Sequence, residues 1–176
     1  MRALFVSIAL AAAGCATTVP DAIRLPPSPD ISVAQARENA SAHTNQRVRW
    51  GGTIARVDNH QATTDLEIVA RDLGSSGRPR QSDQSAGRFI ARVAGFLDPA
   101  VYSEGRQVTV AGVVVQETSG RIGEHKYRYP VVQADAVYLW EPLRELPDRR
   151  PYYHDPFYDP FWYPWRPWPY YYPHYH

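Results

Sequence analysis

Cysteine is nearly absent from this 176-residue chain, Cys15 being the only one. No internal disulfide is available, and an exposed free thiol is a liability in an oxidising compartment. An excess of one charge is also missing. The 19 Lys and Arg stand against 18 Asp and Glu, and loss of a leader carrying Arg2 leaves 18 of each. Phosphate binding needs a basic excess, so this balance argues against nucleic acid as a partner. Long apolar runs are lacking as well: Ala3 to Ala13 is about eleven residues, where a bilayer-spanning helix needs roughly 20. The motifs of common catalysts are missing. There is no Gly-x-Ser-x-Gly elbow, no His-Glu-x-x-His and no Gly-rich phosphate loop. The chain therefore reads as a protein that is not an enzyme, with no catalytic, cofactor-binding or metal-binding residue assigned.

What the N-terminus does contain is specific. Met1-Arg2 forms a minimal positive start, the apolar run follows, and Ala12-Ala13-Gly14 brings small residues up to Cys15. That layout is a secretory signal peptide over residues 1–14. The small residues before the cysteine resemble a bacterial lipobox, which makes Cys15 the acceptor of a thioether-linked lipid. Ala12 stands where Leu is commoner. Two or three acyl chains such as palmitate hold firmly, at about 0.8 kcal/mol for each buried methylene. Ala16 follows the cysteine in place of the Asp that signals inner-membrane retention, so the expected location is the outer membrane, with the domain on its periplasmic face.

The rest of the chain divides by composition. Residues 15–29, rich in Thr and Pro, read as an extended lipidated tether. Residues 30–147 carry a globular pattern, and 148–176 form a Pro- and aromatic-rich tail. The globular part opens on one short helix: Ser32 with Gln35 makes a capping box, and Val33, Ala36 and Ala40 give an apolar stripe. Strands follow. Val48 and Trp50 alternate with Arg47 and Arg49, and the apolar phase slips between Ile54 and Val57, as at a bulge. Leu66, Ile68 and Ala70 mark a second strand, Phe89, Ala91 and Val93 a third, and Val108, Val110, Gly112 and Val114 a fourth. Ser119-Gly120 offers a turn leading back through Ile122 to Tyr127, and a last strand runs from Val131 to Trp140. Asp72 to Gly87 reads as a mobile loop. The fold class is mainly β, a small antiparallel OB-like barrel with one short N-terminal helix and a disordered C-terminal tail; a β-sandwich is the alternative.

Several ordered motifs carry a resemblance to a known family. Val48-Arg49-Trp50-Gly51-Gly52, Gly87-Arg88-Phe89 and Gly95-Phe96-Leu97-Asp98-Pro99 are followed by Gly105-Arg106, Ile122-Gly123-Glu124, Tyr129-Pro130-Val131-Val132 and Leu139-Trp140. Together they resemble the Slp family of starvation-inducible outer-membrane lipoproteins, over Pro29 to about Trp140 plus the lipobox. The resemblance implies an outer-membrane lipoprotein linked to starvation or stress, without an established catalytic activity. The tail departs from the family's core pattern.

Each motif also has a plain physical reading. Gly51-Gly52 permits a bend and close backbone approach, and Leu97-Asp98-Pro99 makes a turn. Trp50 and Trp140 are core anchors before they are ligand platforms. Arg49, Arg88 and Arg106 would bind a carboxylate or phosphate if they converged on one face, and are otherwise solvated. Asp65 and Glu67 share one strand face, where solvation explains them and acid–base chemistry is the alternative.

The tail from Arg149 is dense in Pro, Tyr and Trp, so it favours polyproline-like extension. Trp and Tyr suit a membrane–water interface and also stack on sugars, which makes lipid headgroups or an envelope glycan its expected contacts. His154, His174 and His176, with Asp155 and Asp159, offer an alternative as metal ligands, although their spacing matches no standard zinc site. A third reading makes the barrel a small-ligand or protein-binding module. No protein partner follows from the sequence.

Overall fold

The computed structural model describes residues 19–143. Five strands form in the order of the alternating apolar pattern: β1 (Arg47–Asn59), β2 (Thr63–Arg71), β3 (Arg88–Ala94), β4 (Gln107–Ile122) and β5 (His125–Leu139). They close a barrel in the order β1-β2-β3-β5-β4. Four seams are antiparallel, and two of them, β1–β2 and β4–β5, are joined by short hairpin connections. The fifth, where Ile90, Ala91 and Arg92 meet Val131, Val132 and Gln133, is parallel. That seam departs from an all-antiparallel barrel for a topological reason: β4 lies outside the β3–β5 pair, so β5 returns alongside β3 in the same direction.

The phase slip in β1 is a bulge. Register with β2 shifts between Ile54 and Arg56, so Ala55 is the extra residue and Val57 comes to oppose Leu66. The bend lets one strand pair with β4 through its first half and with β2 through its second. Gly52 sits at the crossing, where a Cβ would lie 1.9 Å from the Val69 carbonyl oxygen. Inside, Leu66, Ile68, Phe89, Val108 and Val110 are fully buried. Trp50 packs edge-on to Phe89 with ring centroids 5.3 Å apart. The barrel interior is thus filled by side chains.

Three local elements cover the barrel. Helix α1 (Asp21–Arg24) falls inside the stretch read as an extended tether, and its Ile23 is fully buried. Helix α2 (Val33–Glu38) has the expected capping box, the Ser32 and Gln35 side chains each accepting from the other's backbone N–H. Its Val33 and Ala36, with Ile31, complete the core. The Trp50 indole donates to the Ile31 carbonyl at 2.6 Å. Asn39 ends the helix by accepting from the Ala42 amide, so Ala40 begins a separate 3-10 turn, Ala40–His43.

Two connections differ from the sequence reading. β4 runs straight through Ser119-Gly120, which pair with Arg128 and Tyr127, and the chain reverses instead at Gly123-Glu124. Gly123 has φ 60°, the conformation glycine supplies at the first position of a two-residue hairpin loop. The stretch from Asp72 to Gly87 is pinned to the barrel. Arg71 donates to the Asp83 and Gln84 carbonyls, Leu73 bridges to Pro79, and Arg78 reaches Gln107 and the Glu141 carbonyl.

Candidate functional site

Side chains on the outer face of a barrel alternate with those inside, so Asp65 and Glu67 face outward between the inward Leu66 and Ile68. They are nevertheless buried, at 9% and 6% exposure. Neighbouring strands supply the cover. Arg92, opposite Asp65 in register, grips it with two hydrogen bonds of 2.8 and 2.7 Å. Arg88 reaches Glu67 at 2.7 Å, the Tyr129 hydroxyl donates to the same oxygen at 3.2 Å, and Arg56 approaches from β1 at 3.6 Å. Arg56 also pairs with Asp58, and His60 stands 3.5 Å from Asp65. This corrects the reading of these carboxylates as a solvated face.

The electrostatics follow from the pairing. Hydrogen bonding to the Arg92 guanidinium holds the Asp65 carboxyl below its ordinary range, against the opposing effect of burial. Arg92 is held above its own range by the same bond. Burial, with Glu67 adding to it, pushes the Tyr129 phenol up to about 12. An Asp65 carboxylate kept ionised by a two-pronged arginine is a poor proton donor, and both of its oxygens are already engaged. The arrangement stiffens the wall formed by β1, β2, β3 and β5 and is ill-suited to acid–base chemistry.

The three arginines singled out in the sequence do not converge. Arg49 donates to the carbonyls of Ile23 and Arg24, clamping α1. Arg88 belongs to the charged wall, and Arg106 donates to the Val101 and Trp140 carbonyls. Arg92, Arg56 and Tyr129 were passed over in the sequence as site residues. Alternation put Arg88 and Arg92 on one face of β3, but only the strand register brings them to Asp65 and Glu67.

Across the barrel lies a second, apolar surface. Ile23 of α1 packs with Ala111 of β4 and with Trp140, flanked by Val19, Ala22, Ala136 and Tyr138. The Trp140 indole donates to the Thr109 hydroxyl at 2.9 Å, which in turn donates to the Gly77 carbonyl at 2.7 Å. Trp50 and Trp140 are therefore both core anchors, 5% and 7% exposed. The turn at Asp98 forms as expected, its carboxylate accepting from the Ala100 amide.

A cleft of about 340 Å³ lies between the start of α2 and the β1–β2 edge, lined in part by Asp30, Ser32, Arg71 and Asp72. Among the described residues no cluster of three His, Cys, Asp or Glu is placed to hold a metal, and no helix is long and apolar enough to cross a membrane. Cys15 lies outside the described residues, as do His154, His174, His176, Asp155, Asp159 and the aromatic tail.

A family model described as the outer membrane lipoprotein Slp family matches residues 12–175. An "Uncharacterized lipoprotein YeaY" of Escherichia coli K12 is 34% identical over 166 residues, covering 93% of this chain and 82% of that protein. The "Outer membrane protein Slp" of the same organism is 32% identical over 146 residues, covering 82% and 76%. Among solved structures, a small single-stranded DNA-binding protein from Streptomyces coelicolor overlays with a TM-score of 0.35 at 11% identity, over 54% of this chain and 94% of that one.

Proposed function

The chain belongs to the outer membrane lipoprotein Slp family, and from that premise we propose a lipid-anchored envelope protein with a structural or interaction role and no catalytic activity. Cys15 is the lipidated residue, residues 1–14 are removed, and the barrel stands on the periplasmic face of the outer membrane. A use in starvation or stress is part of the same reading, and the family resemblance supports it. The aromatic tail provides a further contact with lipid headgroups or an envelope glycan.

The observation that supports a non-catalytic role is the condition of the barrel's polar groups. Asp65 and Glu67, its two buried carboxylates, are bound to Arg92, Arg88 and Tyr129. Arg49 and Arg106 are spent on backbone carbonyls. With the interior packed by Phe89, Leu66 and Ile68, exchange with the surroundings falls to the outer surface and the chain ends.

Mass spectrometry of the mature protein beside a Cys15→Ala variant, each followed through membrane fractionation, tests the anchor. The expected result is an acylated Cys15 as the first residue, and membrane retention in the variant reduced to what the tail alone provides. An unmodified protein in the soluble periplasm overturns the reading. In the Cys15→Ala background, deletion of residues 149–176 is expected to abolish residual envelope association. Unchanged association rules the tail out as an envelope contact.

A further inference from the structure

The segment between the anchor and the barrel is far shorter than its composition suggests. Prolines and threonines through residue 29 read as a leash of fifteen residues. In the structure the chain is already seated at Val19, which packs with Ile23 against Ala111 and Trp140. Only Ala16, Thr17 and Thr18 separate Cys15 from that seat. Four residue steps reach at most about 14 Å when fully extended. A lipid on Cys15 therefore holds this particular face of the barrel at the membrane.

The other end of the described stretch meets the same cluster. Trp140 belongs to the Ile23 cluster, and its backbone amide bonds to the Gln107 carbonyl at the start of β4. Val19 and Trp140, near the two ends of the described residues, thus share one cluster. The surface around the seat suits a phospholipid layer. Leu25 projects there with 57% of its surface exposed, in a shallow depression also lined by Asp21, Pro27, Arg47 and Arg49. An exposed apolar side chain of this kind enters the headgroup region, while Arg47 stays paired with Asp135 and Arg49 with the carbonyls of Ile23 and Arg24.

We propose that the α1 face of the barrel, Val19 to Leu25 over β4 and the end of β5, lies against the phospholipid surface. The Asp65–Arg92 and Glu67–Arg88 wall then points away from it. Strand order supports the second half: in a ring β1-β2-β3-β5-β4, the β2–β3 wall is the part farthest round from β4. The proposal rests on Cys15 being lipidated.

Lipidation itself makes the test clean. With the Cys15 sulfur in a thioether, an introduced cysteine is the protein's only free thiol. Leu25→Cys on the α1 face and Gln61→Cys at the tip of the β1–β2 hairpin are both exposed positions. Each lipidated variant carries an environment-sensitive fluorophore and is reconstituted into phosphatidylethanolamine–phosphatidylglycerol vesicles with and without brominated acyl chains. The expected result is blue-shifted emission at position 25, quenched several-fold more by bromine than at position 61. Equal quenching at both positions, or stronger quenching at 61, overturns the orientation while leaving the anchor intact. A mature protein found without lipid on Cys15 overturns the anchor and this proposal together.

Discussion

Replacing Arg92 by Met removes two short hydrogen bonds and the positive charge beside Asp65, and leaves a carboxylate that is only 9% exposed. Losing one partner of a buried pair costs about 3–5 kcal/mol. Arg92 keeps 31% of its side chain exposed, so water replaces part of the bond and the expected loss falls to about 2–3 kcal/mol. For a domain of this size that lowers Tm by about 8–12 °C. The measurement is urea and thermal unfolding of a non-lipidated chain, repeated with Asp65→Asn and with the double variant. The pair should show a coupling above about 1 kcal/mol.

Acid should erase the difference. Asp65 titrates below its ordinary 3.8 when folded, so on acidification the unfolded chain takes up this proton first. The bond's contribution is complete above the unfolded value and is lost as pH falls through the folded one. Wild type and Arg92→Met should therefore differ most at neutral pH and converge below about pH 4. A coupling under about 0.5 kcal/mol, or a gap that persists unchanged to pH 3, would refute the assignment of this pair as a stabilising unit.

Two further outcomes follow from the same geometry. Gly52→Ala drives a Cβ to 1.9 Å from the Val69 carbonyl oxygen, whereas Gly74→Ala meets only the Arg78 carbonyl at 3.5 Å. Chemical denaturation should show the first destabilised by about 3 kcal/mol or more and the second changed by less than about 1 kcal/mol. Tyr129, with its phenol pushed up to about 12, should be missing from the ultraviolet titration near pH 10 and appear about two units later, as a difference from Tyr129→Phe. Its raised value means that the neutral phenol's stabilising contribution is intact below about pH 10 and lost as pH rises through about 12; a full tyrosine complement titrating near 10 would contradict the burial argument.

The barrel was legible in the sequence where burial imposes a period. Val48 and Trp50, Leu66 and Ile68, and Phe89 and Ala91 each announced their strand, and the slip between Ile54 and Val57 announced the bulge. Beyond the core that constraint disappears. The outer parts of β4 and β5 have no apolar face to keep in phase, so the turn was read at Ser119-Gly120, and only pairing through Gly120 and Tyr127 moves it to Gly123-Glu124. Helix α1 was hidden because four residues cannot show a helical period, and its one buried side chain finds its partners about 90 residues away in β4 and beyond. The carboxylates on β2 were correctly placed on one face. What covers that face is a matter of register, which a single strand does not encode.

The seat of α1 also fixes an order of events. Val19 to Arg24 precede every strand, yet their partners are Ala111 in β4, Ala136 and Tyr138 in β5, and Trp140 just past its end. A chain that emerges N-terminus first cannot bring these together until about 120 residues have followed. Throughout that interval α1 lacks the surface that buries Ile23. Seating then comes with the closing strands. Among the described residues, the first to appear are thus covered only by the last strands to appear.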